Sequence, residues 1–145
     1  MRIALASDHA GYKLKQELIS YLKDFEVVDF GTDSPQSTDY PDIGFVAAEA
    51  VAKGECNRGI LICGSGIGMS IVANKVKGVR AALCTSETIA KLSRQHNDAN
   101  ILVLPGRFIS FDEAKKIVDT WLNTKFDGGR HQRRINKIKK YEERR

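Results

Sequence analysis

Residues Gly59–Cys63 (GILIC) form an apolar run with no polar interruption, and the chain leaves it directly for the glycine-rich segment CGSGIGMS. Such a run fits a strand buried on both faces, the environment of a central strand in a parallel sheet. Parallel neighbours cannot be joined by a tight hairpin, so helical crossovers must alternate with the strands. The rest of the chain supplies that rhythm. Arg2–Ser7, Glu26–Asp29, Val79–Cys84 and Ile101–Leu104 read as further strands. Leu14, Leu18 and Leu22 give Gly11–Lys23 the apolar face of a helix. A second helix is expected from a cap at Asp42 to about Lys53, and a third from Gly68 to about Lys75. Ser86 caps a fourth helix reaching His96, and Ser110 with Glu113 makes a capping box for a fifth through Leu122. A sixth runs from Arg130 to Tyr141 after the DGG turn, and Gly31–Pro41 (GTDSPQSTDYP) is a loop. The predicted fold is α/β: a three-layer, Rossmann-like five-stranded parallel sheet with helices on both faces and an extra C-terminal helix.

A chain of 145 residues suits one domain. Residues 1–126 are expected to form the α/β core and residues 127–145 a basic helix of the same domain. The net charge is +5, and its location matters more than its size. Residues 127–145 carry eight basic residues against three acidic ones, so the whole excess sits there. No nucleic-acid recognition motif accompanies the charge, and no aromatic cluster offers a stacking platform. Nucleic acid is therefore not an expected partner, and a nucleic-acid-binding module using the basic tail is kept only as a remote alternative. No apolar run approaches the roughly 20 residues of a membrane span, so a membrane is not expected either. The opening MRIALASDHAG meets Asp8 and His9 too early for a secretory signal. With an odd count of cysteines (Cys56, Cys63, Cys84) and no CxxC pair, a cytoplasmic protein with reduced thiols is expected.

The glycine loop is the first candidate for chemistry. Ligands of open α/β sheets bind outside the carboxyl ends of the strands. Gly64, Gly66 and Gly68 let backbone amides approach a ligand closely, and the following helix adds its unpaired first-turn N–H groups. That combination makes an anion cradle. The spacing is neither the dinucleotide fingerprint nor a Walker loop. Cys63 and Ser65 place a thiol and a hydroxyl beside the amides, as a base or nucleophile next to an oxyanion hole would require.

The histidines are His9, His96 and His131. His9 follows Asp8 at the end of the first strand, on the same sheet edge as the glycine loop. No short HxxxH or CxxC pair is present, so no metal site is expected. Arg130 and Arg134 stand four apart, on one face of a helix, where two guanidiniums can hold a phosphate. Ile135, Ile138 and Tyr141 form a narrow apolar stripe beside them and suggest that the helix docks on protein.

These pieces resemble one family, the type B ribose-5-phosphate isomerases and their relatives acting on other sugar phosphates. The resemblance is carried by IALASDHAG, DFGT, TDYPD, GILICGSGIGMSIVANKVKGVRAALC, SRQHNDANILVLPGR and FDGGRHQRR, in order along nearly the whole chain. It implies an aldose–ketose isomerase without cofactor or metal. By resemblance, Cys63 is the base that moves a proton between C2 and C1, with Ser65 beside it. The amides of Gly64, Ser65, Gly66, Ile67 and Gly68 hold the enediolate oxyanion, and His96 opens the sugar ring as an acid. Asp8 is a ring-opening or hydroxyl partner. His9, Tyr40, Asn97, Arg107, Arg130 and Arg134 are substrate contacts. Part of the family carries a glutamate base where this chain has Met69, so the cysteine branch is implied. The resemblance also implies a homodimer with the site shared between subunits, with a tetramer as the further assembly. A hexose 6-phosphate, such as allose or galactose 6-phosphate, is the alternative substrate. The galactose relatives tend to lack the histidine of the SRQHN segment and work as mixed subunit pairs, so His96 favours a self-sufficient homodimer; allose 6-phosphate stays open as a substrate.

Overall fold

The computed structural model describes residues 1–144. Five strands, β1 (Arg2–Ser7), β2 (Glu26–Asp29), β3 (Arg58–Cys63), β4 (Ala81–Leu83) and β5 (Ile101–Pro105), pair in the order β2-β1-β3-β5-β4. Every pairing is parallel. Six helices connect and flank them: α1 (Tyr12–Tyr21), α2 (Tyr40–Ala52), α3 (Ile67–Asn74), α4 (Glu87–Asn97), α5 (Phe111–Asn123) and α6 (Arg130–Glu142). Among the described residues, no helix is long and apolar enough to cross a membrane.

Strand alternation divides the core in two. Ile3, Leu5, Ile60, Ile62, Leu102 and Leu104 face one side and pack against Leu14 and Leu18 of α1, Ala90 of α4, and Ile117 and Trp121 of α5. Ala4, Ala6, Leu61, Cys63 and Val103 face the other and pack against Ala47, Ala48 and Val51 of α2 and Met69 and Ala73 of α3. The small alanines of β1 let α2 lie close to the sheet. Each fully buried aliphatic side chain contributes about 1.5–3 kcal/mol, so the two interfaces together make a three-layer fold.

Several boundaries differ from the sequence expectation by a residue or more, and three of them have a visible cause. Helix α2 begins at Tyr40 with Asp39 as its cap position, so Asp42 is not the cap but lies in the first turn. The reason is Pro41, whose fixed φ suits the first turn and starts the helix earlier. Strand β4 is only Ala81–Leu83, because side chains take over the backbone groups at its start: Asn100 accepts from Arg80 N (2.8 Å) and Asn74 from Ala81 N (2.9 Å). A 3-10 turn at His9–Gly11 precedes α1, which therefore starts at Tyr12. The caps at Ser86 and at Ser110–Glu113 form as expected.

The stripe on α6 is only partly docked. Ile135 is 3% exposed, whereas Ile138 and Tyr141 are 50% and 65% exposed and line a groove with Asn74, Val79, Arg80 and Ala81. The far end of α6 is tied down where Glu142 accepts from Gly78 N (3.0 Å).

The Gly31–Asp39 loop is held to β1 from two sides. Gly31 O accepts from Ser7 N and Ser7 O from Thr32 N, both at 2.7 Å. Asp29 accepts from Gly31 N (2.9 Å) and from the fully buried Lys15 ammonium (2.6 Å). Removing the carboxylate strands that charge in the core. Asp29→Ala is therefore expected to lower stability by about 2–3 kcal/mol, and Lys15→Met, which removes the charge itself, by less. Urea midpoints of both variants check the order; equal losses would mean that the pair does not carry the loop.

Candidate active site

The sheet reverses its winding between β1 and β3, and a crevice opens there at the carboxyl edge. Four segments meet around it. Asp8 follows β1 and is buried; its carboxylate accepts from Ala10 N (3.0 Å) and Gly11 N (3.2 Å) and so fixes the turn that carries His9. Asp8 N donates to Ile62 O (3.2 Å), which locks this turn against β3. Cys63 ends β3, and its carbonyl accepts from Gly106 N (2.8 Å). Gly64 O accepts from Arg107 N (3.0 Å), and the Arg107 side chain lies over Gly64.

The glycine loop turns at Gly66, with φ of +79°, a conformation open to glycine. A Cβ there would also stand 2.4 Å from Leu83 Cδ1. Gly68 opens a different space: a Cβ on it would fall 2.6 Å from the Tyr40 ring, so the tyrosine rests directly on the first turn of α3. Among the described residues, the amides of Ser65 and Gly66 donate to no protein acceptor. Ile67 is different: its amide is already taken by Ser65 Oγ (3.2 Å), so it joins the cradle only if that hydroxyl turns away.

His9 is oriented by the long loop. Its Nδ1 accepts from Thr38 N (3.1 Å), which puts the hydrogen of the neutral ring on Nε2. Two hydroxyls at this edge, Ser7 Oγ and Thr38 Oγ1, are buried without a protein partner. Sequence reasoning did not single out either residue; the only signal was their position, one before Asp8 and inside the TDYPD loop. The three thiols differ in environment. Burial pushes Cys84 up to about 11, against a hydrogen bond to Ser93, and burial also raises Cys56. Cys63 and Cys84 both follow the strands at the carboxyl edge, but it is Cys63 that leads straight into the glycine loop.

The other expected site residues are elsewhere. His96 and Asn97 end α4, just before β5 begins, which places them at the amino edge of the sheet. The contacts there agree: Asn97 O accepts from Arg80 Nε at the start of β4, and Asn100 O from Gly59 N at the start of β3. Asp127 N donates to Gln95 O (3.1 Å), so α6 starts beside the end of α4 with Arg130 and Arg134 exposed. His131 stacks on His96 with ring centroids 4.3 Å apart and planes 13° from parallel. Burial, His96, and the Arg130 and Arg134 guanidiniums hold His131 below the ordinary imidazole value, against Asp127. At roughly 3.3 Å per strand residue, a five-residue strand separates the two edges by on the order of 16 Å. Asp8, His9, Tyr40, Cys63–Gly68 and Arg107 thus form one cluster, and His96, Asn97, Arg130 and Arg134 a second.

Residues 3–138 match the profile described as Ribose/Galactose Isomerase. The chain belongs to that family. Ribose-5-phosphate isomerase B of Escherichia coli strain K12 is 48% identical over 146 aligned residues, covering 99% of this chain and 98% of that protein. Among solved structures, ribose-5-phosphate isomerase B of Clostridium thermocellum superposes with a TM-score of 0.97 at 55% identity, covering 99% of both chains. The Mycoplasma genitalium ribose-5-phosphate isomerase B, solved with bound ribulose-5-phosphate, superposes at 0.95 with 50% identity, covering 98% of this chain and 96% of that one. The three-layer parallel sheet of this chain is the fold of these members of the ribose/galactose isomerase family.

Proposed function

We propose that this chain interconverts ribose 5-phosphate and ribulose 5-phosphate through an enediolate, with Cys63 as the base and without a cofactor. The observation that carries the reading is the relative with bound ribulose-5-phosphate, 50% identical over nearly the whole length. The cluster at the carboxyl edge has the chemistry the reaction needs. The Cys63 thiolate takes the proton from C2 of the open aldose, and the C1 carbonyl oxygen gains the negative charge. The amides of Gly64, Ser65, Gly66 and Gly68 meet that oxygen as fixed dipoles that need no reorganisation, with Ile67 added when Ser65 Oγ rotates toward substrate. The thiol then returns the proton to C1, and the proton on the O2 hydroxyl passes to O1, which completes the ketose. Asp8 and the Ser7 and Thr38 hydroxyls offer partners to sugar hydroxyls, Tyr40 lies against the sugar, and His9 Nε2–H and Arg107 donate to the substrate.

The second cluster completes this site from another subunit. The partner subunit's His96 gives a proton to the ring oxygen at opening, the partner subunit's Asn97 contacts the sugar, and the partner subunit's Arg130 and Arg134 clamp the phosphate. A homodimer follows from that division of labour. It is supported by an apolar surface next to the glycine loop: Val46 of α2 and Ile67 and Ile71 of α3 are each more than half exposed. These side chains gain most by facing a second copy. The cellular setting in this reading is the cytoplasm, where Cys63 stays reduced.

Steady-state isomerisation with ribose 5-phosphate and with allose 6-phosphate tests the reading. The pentose is expected to give the higher kcat/KM, and Cys63→Ser to abolish turnover of both while inorganic phosphate still binds. A clear hexose preference would move the chain to the other branch of the family, and near-normal kcat in Cys63→Ser would put the base elsewhere.

Arg130→Ala and Arg134→Ala each remove a charge-assisted bond to phosphate and are expected to weaken sugar-phosphate binding about tenfold or more. Calorimetric titration reads this directly. Unchanged affinity in both would return α6 to a solvated basic helix.

A further inference from the structure

The amino-edge cluster also holds a donor set of which isomerisation uses only His96. His96, Asp127 and His131 each offer one ligand atom, and these atoms all lie within 4.8 Å of one another. Donors around a tetrahedral zinc ion stand about 3.3 Å apart, given metal–nitrogen distances near 2.0 Å. The backbone already holds the three in place: Asp127 N is bonded to Gln95 O and His131 N to Gly128 O, both at 3.1 Å. Among the described residues, no hydrogen bond to protein fixes either imidazole ring, so rotation of the two side chains can turn their stacked faces into a converging pair.

Two imidazoles with one carboxylate suit zinc and the late first-row divalent ions. Arg130 and Arg134 repel any cation here, and the single Asp127 carboxylate offsets that only in part. An ion held chiefly by charge, such as magnesium or calcium, is thereby disfavoured, because it needs several oxygen ligands. We propose that His96, Asp127 and His131 form a binding site for a divalent transition-metal ion of the zinc class, with its remaining coordination positions open to water. The site does not rest on the isomerase reading. An ion bound there occupies the His96 imidazole, so metal binding and a free His96 exclude each other.

The test is a titration of tag-free, chelator-treated full-length protein with cobalt(II), followed by its visible absorption. One saturable equivalent per chain is expected, without a near-ultraviolet thiolate-to-metal band. His131→Ala and Asp127→Asn are each expected to weaken binding at least about tenfold, with the far-ultraviolet circular dichroism unchanged. Absence of saturable binding, affinity in both variants equal to that of the unaltered protein, or a thiolate charge-transfer band would each overturn the proposal.

Discussion

Every strand of the sheet runs in the same direction, so each of the crossover helices α1 to α4 must carry the chain back from the carboxyl edge to the amino edge before the next strand begins. Strand ends and the starts of these helices therefore collect at one edge, and their ends and the strand starts at the other. In this protein the first edge gathers a buried aspartate, a histidine, a thiol and a run of open amides. The second gathers a stacked histidine pair and two arginines. Neither side-chain rotation nor local loop movement spans a sheet, so within one subunit the two clusters stay apart. The placement of Arg107 beside Gly64, and of Tyr40 on Gly68, belongs to the first cluster and depends on the same edge.

The division suits the chemistry proposed for the chain. Stabilising an enediolate needs fixed dipoles in a dry, rigid place, which the junction of a buried strand and a helix start provides. Ring opening and phosphate capture need longer, charged side chains that reach a substrate from outside. Helix α6 presents those groups because the Asp127–Gln95 bond holds its start beside α4 and Ile135 is buried, while its remaining stripe stays open. In the proposed homodimer, a second copy would bring such a surface to the cradle of its neighbour, and the exposed apolar side chains of α2 and α3 lie beside that cradle.

Much of the fold was legible because its determinants are local. The apolar run GILIC, the helix caps at Ser86 and Ser110, and the glycine turn each depend on a few adjacent residues, and each appears where expected. The start of α2 was misread because an acidic cap candidate competed with a proline one residue earlier, and the proline geometry prevailed. The shortening of β4 was not readable, since it comes from side chains of Asn74 and Asn100 that only the folded chain brings near. The carboxyl-edge cluster was partly visible: residues that directly follow β1 and β3 must share an edge. That His96 and Cys63 lie at opposite edges was implicit in the same rule, because a crossover helix ends where the next strand begins. The approach of Asp127 and His131 to His96 had no sequence signal, as it joins two helices through a single backbone bond and a ring stack.

The central claim is that a working site takes Cys63 from one subunit and His96 from another. Co-expression of a Cys63→Ala chain with a His96→Ala chain, under two different tags, allows the mixed dimer to be isolated and assayed. Each such dimer would hold one site with both groups intact and one lacking both. The account predicts that the mixed dimer isomerises ribose 5-phosphate while each parent variant alone is inactive. A mixed dimer as inactive as its parents would contradict it, because both groups would then have to come from the same chain.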